Sequence, residues 1–128
     1  MPYVYAKAAE LQEKPKVGSH HCVALIQHYA IAPPTSSWRE GIPVRGADIP
    51  VGTAIATFTK GKYANASTGN HAAFYLGQDD KGIWVMDQWK NSSQKPLISK
   101  RHIRFLDAQP AGSNPTASNN GDAYSVIE

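Results

Sequence analysis

The chain has 128 residues, of which 41% are hydrophobic and 9% aromatic, and it carries a formal net charge of +3. This length and composition fit a single domain over residues 1–128 that can build its core without disulfides or a structural metal. The lysines and arginines are scattered, and no nucleic-acid recognition motif accompanies them, so we expect no nucleic-acid partner. The single cysteine, Cys22, excludes an internal disulfide.

The N-terminal segment lacks a basic stretch followed by an apolar run, and no stretch approaches the roughly 20 apolar residues that a membrane helix needs. We therefore expect synthesis in the cytoplasm without a signal peptide, and no membrane insertion. If the protein acts elsewhere, a route that does not read an ordinary signal peptide must carry it.

Two short helices are predicted in the first part of the chain. Good helix formers fill residues 3–13, and Pro15 ends that segment. Ser19 is then the expected N-cap of a second helix, which places Cys22 at the third helical position, within reach of free backbone N–H groups. This helix must end before Pro33.

Strand patterns dominate the remainder of the chain. Short apolar or alternating runs predict strands at residues 53–59, 71–76, 83–89, 101–106 and 123–127, and turns or loops fill residues 35–41, 46–52 and 60–70. Residues 107–122 are rich in Pro, Gly, Ser and Asn, which indicates a long surface loop that is mobile or forms the rim of a site. Helices followed by strands predict an α+β fold with N-terminal helices packed on a mostly antiparallel sheet.

A cysteine and a histidine are the candidate nucleophile and base. Cys22 stands at the start of a predicted helix, and His71 opens a predicted strand in Gly-Asn-His-Ala-Ala-Phe-Tyr-Leu. The thiolate is the attacking species, and a free cysteine with a pKa of about 8.5 is only a few per cent ionised at neutral pH. A helix N-terminus and a neighbouring imidazolium both favour the thiolate, so this pairing predicts nucleophilic catalysis.

Asp87 is the candidate third member of a catalytic triad. If the hairpin loop between the two middle strands is odd-numbered and centred on Asp79, His71 lies directly opposite Asp87, with Cβ atoms about 5 Å apart. The carboxylate can then accept a hydrogen bond from the imidazole and fix its orientation. An even-numbered loop sets Met86 or Gln88 opposite the histidine instead.

Two other interpretations of the cysteine segment stay open. Taken alone, Cys22 is more typical of a buried, inert thiol, and only its sequence context favours a reactive one. His20 and His21 are zinc-ligand residue types, but adjacent helical positions cannot all face one ion, and a second cysteine is missing. We therefore expect neither a metal nor another cofactor.

Candidates for substrate binding are aromatic residues and hydrogen-bond donors. Aromatic side chains at strand spacing belong mostly to the core, but some can line a groove for a sugar-peptide substrate. The aromatic candidates are Trp38, Trp89 and Tyr75. The backbone N–H of Cys22, together with a side chain of His21 or His20, is a candidate donor to the oxyanion of acyl transfer.

The segments around these residues resemble the papain-like cysteine amidases of bacterial cell walls, the CHAP and NlpC-type superfamily. The resemblance covers about residues 15–90 and consists of Cys-Val at a helix start, Gly-Asn-His-Ala-Ala-Phe-Tyr-Leu-Gly, and Gly-Ile-Trp-Val-Met-Asp-Gln-Trp. Trp-Arg-Glu-Gly and Gly-Thr-Ala-Ile-Ala are similar to the segments between cysteine and histidine in short amidases of this group, including toxins delivered by type VI secretion.

The resemblance implies a papain-like fold and hydrolysis of amide bonds in peptidoglycan stem peptides or cross-links. It gives Cys22 the role of nucleophile, His71 that of base and Asp87 that of the polar third member. Delivery as a toxin implies action in the periplasm of a target cell and an inhibitor (immunity) protein in the producing cell. Two alternatives stay open: a thiol acyltransferase or protease with another substrate, and a noncatalytic cell-wall or protein-binding module.

Overall fold

One α-helix and six strands are present among residues 2–64, 66 and 68–128, the part of the chain that the computed structural model describes. The helix, α1, spans Cys22–Ala30. The strands are β1 Glu40–Pro43, β2 Ala54–Thr57, β3 Ala72–Gln78, β4 Gly82–Asp87, β5 Ser99–Arg104 and β6 Tyr124–Ile127. They form one sheet in the order β1-β6-β2-β3-β4-β5, and each neighbouring pair is antiparallel. The predicted α+β class with an antiparallel sheet is confirmed.

Helix α1 begins two residues later than an N-cap at Ser19 would place it. The N-cap is His21, in an extended conformation, and it makes no side-chain capping hydrogen bond. The predicted cap is therefore wrong, and Cys22 is the first helical residue rather than the third. At the other end, Ile31 adopts a left-handed conformation, and the helix ends before Pro33, as predicted.

The predicted helix over residues 3–13 is wrong, because this segment keeps only a 3-10 turn at Ala8–Leu11. Its first residues pair with the sheet instead: the N–H of Tyr5 donates to the carbonyl of Gly52, and Val4 bridges Thr53. A Cβ atom on Gly52 would lie 2.0 Å from the carbonyl oxygen of Tyr5, so only glycine allows this approach. These long-range hydrogen bonds override the local helix propensity.

Five of the six strands lie within two residues of their predicted bounds, and β1 was not predicted. The sheet separates two apolar clusters. Side chains alternate along β3, so Ala72 and Phe74 face Leu25 and Ile26 of α1, whereas Ala73 belongs to the cluster on the other face. The small side chain of Ala72 allows α1 to pack closely on β3. No helix within the described ranges combines the length and apolarity needed to cross a membrane.

Candidate active site

The N-terminus of α1 and one end of the sheet bring the three predicted catalytic residues together. His71 directly precedes β3 and Asp87 ends the antiparallel neighbour β4, so both lie at the same end of the sheet. The His71 side chain interacts with Cys22 closely enough to lower the pKa of the thiol, and Nε2 of His71 lies 2.7 Å from Oδ2 of Asp87. Because Nε2 is committed to the carboxylate, Nδ1 is the ring nitrogen that is left for the thiol.

The register through which the histidine and the aspartate meet differs from the prediction. Strands β3 and β4 pair Phe74 with Met86. Continuing this register by one residue sets Ala73 opposite Asp87, so the predicted direct opposition of His71 and Asp87 is wrong. The imidazole precedes Ala73 by two residues and reaches the carboxylate diagonally, a separation that a long side chain can span.

Three cationic side chains surround the buried carboxylate of Asp87. Oδ2 accepts from His71 and, at 3.0 Å, from Nε of Arg101, and Nζ of Lys95 lies 2.8 Å from Oδ1. Burial by itself raises the pKa of Asp87, but the hydrogen bond from His71 and the charges of Arg101 and Lys95 together hold it below its usual range. Asp87 is therefore ionised throughout the physiological pH range.

The same contacts favour a thiolate and an imidazolium. Burial lowers the pKa of His71, yet hydrogen bonds to Asp87 and Cys22 raise it to about 9. Burial raises the pKa of Cys22, but the hydrogen bond and the charge of His71, followed by the Tyr63 hydroxyl and the backbone N–H of Ala72, lower it below its ordinary value. Near neutral pH the pair is set up as nucleophile and proton donor.

Sequence reasoning missed three residues of this site. Oη of Tyr63 lies 3.6 Å from Sγ of Cys22, and Lys95 and Arg101 contact Asp87. Tyr63 falls in a segment predicted only as loop, and the two cations have the residue types expected of a solvated surface. For these three residues, the sequence offered one local indication, which is that a tyrosine lies in the loop that leads to His71.

Two clefts open beside Cys22. The first, which we call the tyrosine cleft, has a volume of about 250 Å³ and is lined by Ser19, His21, Cys22, Val23, Tyr63, Ala66 and Asn70. The second, the tryptophan cleft, has a volume of about 280 Å³ and is lined by His21, Cys22, Ala66, Asn70, His71, Trp89, Lys90 and Asn91. The predicted binding residues His21 and Trp89 thus lie beside the sulfur, and neither cleft has an acidic residue among these lining residues.

The structure does not bring Trp38 or Tyr75 to either cleft. Trp38 is 3% exposed, and its Nε1 donates to the carbonyl of Pro33. Tyr75 belongs to the apolar cluster on the sheet face away from α1, and its hydroxyl accepts from Gln78. Both rings are packed in the core, so neither offers a face to a substrate.

The segment over residues 107–122 borders the site, as one of its two predicted roles required. Short 3-10 helices lie within it or overlap its ends, at Leu106–Ala108, Ala117–Asn119 and Gly121–Ala123. Asn119 accepts a hydrogen bond from Arg101, and it lines a further cavity of about 250 Å³ together with His71 and Trp89. In the described part of the chain, no cluster of three or more His, Cys, Asp or Glu residues could hold a metal ion.

Comparison with known proteins gives consistent matches over almost the whole chain. The family model described as Domesticated amidase effector 2 (Dae2) matches residues 6–127. A Salmonella typhi relative, the Type VI secretion amidase effector 2 protein, is 54% identical over 133 aligned positions that cover all of both chains. The solved structure of a Type 6 secretion amidase effector 2 (Tae2) superposes with a TM-score of 0.88 at 51% identity, covering 98% of this chain and 94% of that one.

Proposed function

The chain belongs to the domesticated amidase effector 2 family, and we propose that it is a cysteine amidase that hydrolyses amide bonds in the stem peptides or cross-links of peptidoglycan. The observation that carries the proposal is the contact sequence from Cys22 through His71 to Asp87, beside open clefts. The relatives named as amidase effectors support the reaction class. The peptidoglycan substrate comes from the resemblance to cell-wall amidases.

The reaction is an acyl transfer in two steps. The Cys22 thiolate attacks the amide carbonyl carbon, and the carbonyl electron pair moves onto oxygen to give a tetrahedral oxyanion. The oxyanion collapses as the C–N bond breaks, and the His71 imidazolium gives its proton to the departing amine. Water then attacks the thioester while His71 takes one of its protons, and collapse of the second tetrahedral intermediate breaks the C–S bond, which restores the thiolate and releases a carboxylic acid that loses its proton to solvent.

Each neighbouring group has a defined part in this scheme. Asp87 holds the imidazole through Nε2 and supports its charged form. The backbone N–H of Cys22 is among the first four of α1, which have no acceptor inside the helix, and it is a donor for the oxyanion. His21 and Trp89, which line the tryptophan cleft, are the groups that we assign to substrate binding.

Delivery and fold complete the proposal. The relatives are named type VI secretion effectors, and the same route would carry this chain into the periplasm of a target cell. A producing cell would then need an inhibitor protein for its own protection.

Two features of the fold support the papain-like assignment. Cys22 begins a helix that packs on the antiparallel sheet, and His71 directly precedes strand β3 of that sheet. All six described strands join one sheet, which supports a single domain over residues 1–128.

Digestion of purified peptidoglycan tests the proposal. Wild-type protein should release new peptide termini, which mass spectrometry identifies, whereas Cys22→Ala should release none while keeping the circular dichroism spectrum of the wild type. Equal release by both proteins would remove Cys22 from the mechanism. No release from several cell-wall types, combined with rapid alkylation of Cys22, would favour a thiol acyltransferase or a protease with another substrate. Slow alkylation with no release would leave a binding module.

A further inference from the structure

Tyr63 contacts the sulfur of the proposed nucleophile through a rigidly held side chain. Its Oη lies 3.6 Å from Sγ of Cys22, within hydrogen-bonding range for sulfur. The tyrosine is 8% exposed, and its ring packs edge-on against Trp38 with ring centroids 5.1 Å apart. Trp38 is itself fixed by the hydrogen bond from Nε1 to the carbonyl of Pro33. The hydroxyl is therefore held beside the sulfur by packing in the core.

A second hydrogen bond sets the direction of the Tyr63 hydroxyl proton. Nδ2 of Asn70 donates to Oη at 3.0 Å, so one lone pair of that oxygen is occupied. A phenol has one proton to donate, and a thiolate only accepts, which directs the proton toward Cys22. Burial, followed by the charge and hydrogen bond of Cys22, raises the pKa of Tyr63 well above its ordinary value, so the hydroxyl keeps its proton at working pH.

We propose that Tyr63 is a catalytic hydrogen-bond donor, which stabilises the Cys22 thiolate in the free enzyme and the substrate oxyanion after attack. When the sulfur attacks, negative charge leaves it and appears on the adjacent carbonyl oxygen. Tyr63 lines the cleft that opens at the sulfur, so its hydroxyl can donate its hydrogen bond first to the sulfur and then to the carbonyl oxygen. The oxyanion role rests on the proposed amidase function, whereas the thiolate role does not.

Tyr63→Phe is the sharpest variant, because it removes only the hydroxyl and keeps the ring that packs on Trp38. Removal of one oxyanion donor typically lowers turnover by about 10²-fold or more. We expect kcat for peptidoglycan hydrolysis to fall by about 10²-fold. We also expect the pH midpoint of Cys22 alkylation by iodoacetamide to rise by about one unit, because a donor to the charged form is lost.

The pH profile separates the two roles. At alkaline pH the thiolate is fully formed in both proteins, so their alkylation rates should converge. The ratio of their hydrolysis rates should stay near 10²-fold across the same range if Tyr63 also serves the oxyanion. Recovery of hydrolysis in step with alkylation would overturn the oxyanion role. An unchanged alkylation profile would overturn the thiolate role, even if wild-type protein hydrolyses no peptidoglycan and the proposed function fails.

Asn70 provides a test of the hydroxyl orientation. Asn70→Ala should lower turnover several-fold in a chain that retains Tyr63, and should change nothing further in a chain that carries Tyr63→Phe, because the two residues act through one hydroxyl. Additive losses would contradict this coupling. Tyr5→Phe, which alters a tyrosine outside both clefts, is the matched control and should leave turnover and alkylation unchanged. Thermal unfolding confirms that each variant folds.

Discussion

Replacing Asp87 with asparagine tests whether this carboxylate stabilises the fold and raises the pKa of His71. Asp87→Asn keeps the shape of the side chain but removes a carboxylate that is 0% exposed and contacts His71, Lys95 and Arg101. The ammonium of Lys95, at 5% exposure, then loses the carboxylate beside it. Breaking a buried ion pair in this way typically costs about 3–5 kcal/mol, against a typical total stability of about 5–15 kcal/mol. We expect the free energy of unfolding in urea to fall by about that amount.

The same substitution should move the alkaline limit of activity. Acylation needs both the thiolate and the imidazolium, so kcat/KM should rise through the lowered pKa of Cys22 and fall as His71 loses its proton near pH 9. Without the Asp87 carboxylate, burial and the nearby cations all disfavour the imidazolium. Loss of an adjacent opposite charge typically shifts a pKa by about 1–3 units, so the alkaline limb should move down by about that amount.

A second substitution separates stability from protonation. Lys95→Met removes the buried ammonium while keeping a long apolar chain, so the double variant with Asp87→Asn should regain part of the lost stability. Its alkaline limb should nevertheless stay low, because the carboxylate is still missing. The measurements are urea unfolding and the pH profile of kcat/KM for each variant. An alkaline limb that stays near pH 9 in Asp87→Asn would refute the conclusion that Asp87 raises the pKa of His71.

Two further predictions concern the proposed nucleophile, Cys22, and the tryptophan cleft. At pH 6 Cys22 should react with iodoacetamide at least about ten times faster than a free cysteine, and His71→Ala should lower the rate to that of free cysteine. An unchanged rate in the variant would show that His71 does not promote ionisation of the thiol. Trp89→Ala should raise KM more than it lowers kcat, because the ring lines the tryptophan cleft. Trp84→Ala, at an exposed ring that contacts His102 in a tilted arrangement, should leave KM unchanged. Equal effects of the two substitutions on KM would contradict the role of Trp89.

Short-range signals made much of the fold predictable. Pro33 predicted the end of α1, because a proline restricts the residues before it and cannot continue a helix. Apolar runs located β2, β3, β4 and β6, whose side chains are largely buried and therefore show their pattern in the sequence. β1 has no such pattern: Glu40–Pro43 is an edge strand that pairs with β6 alone, and its residues are half-buried or exposed.

The placement of Cys22 and His71 was predictable, but the groups that shift their pKa values were not. Cys22 and His71 stand at element starts, where local sequence is informative. Lys95 and Arg101 meet the Asp87 carboxylate only through the fold of the chain after β4, and a charged residue type by itself indicates a solvated surface. The register of β3 and β4 depends on an irregularity between residues 75 and 77, which no local signal announces. The contact with Asp87 nevertheless forms, because a diagonal neighbour lies within reach of an imidazole.

The two unpredicted cations change the charge balance of the site. The Cys22 thiolate and Asp87 supply two negative charges, and His71, Lys95 and Arg101 supply three positive ones, so the positive charges exceed the negative by one. With His71 as the only cation, the balance would be negative and would oppose ionisation of the thiol. During attack the negative charge moves from sulfur to the substrate oxygen, so the excess positive charge favours the tetrahedral state as well. Lys95 and Arg101 therefore support the same ionisation that the acyl transfer requires, although neither faces the sulfur through a described contact.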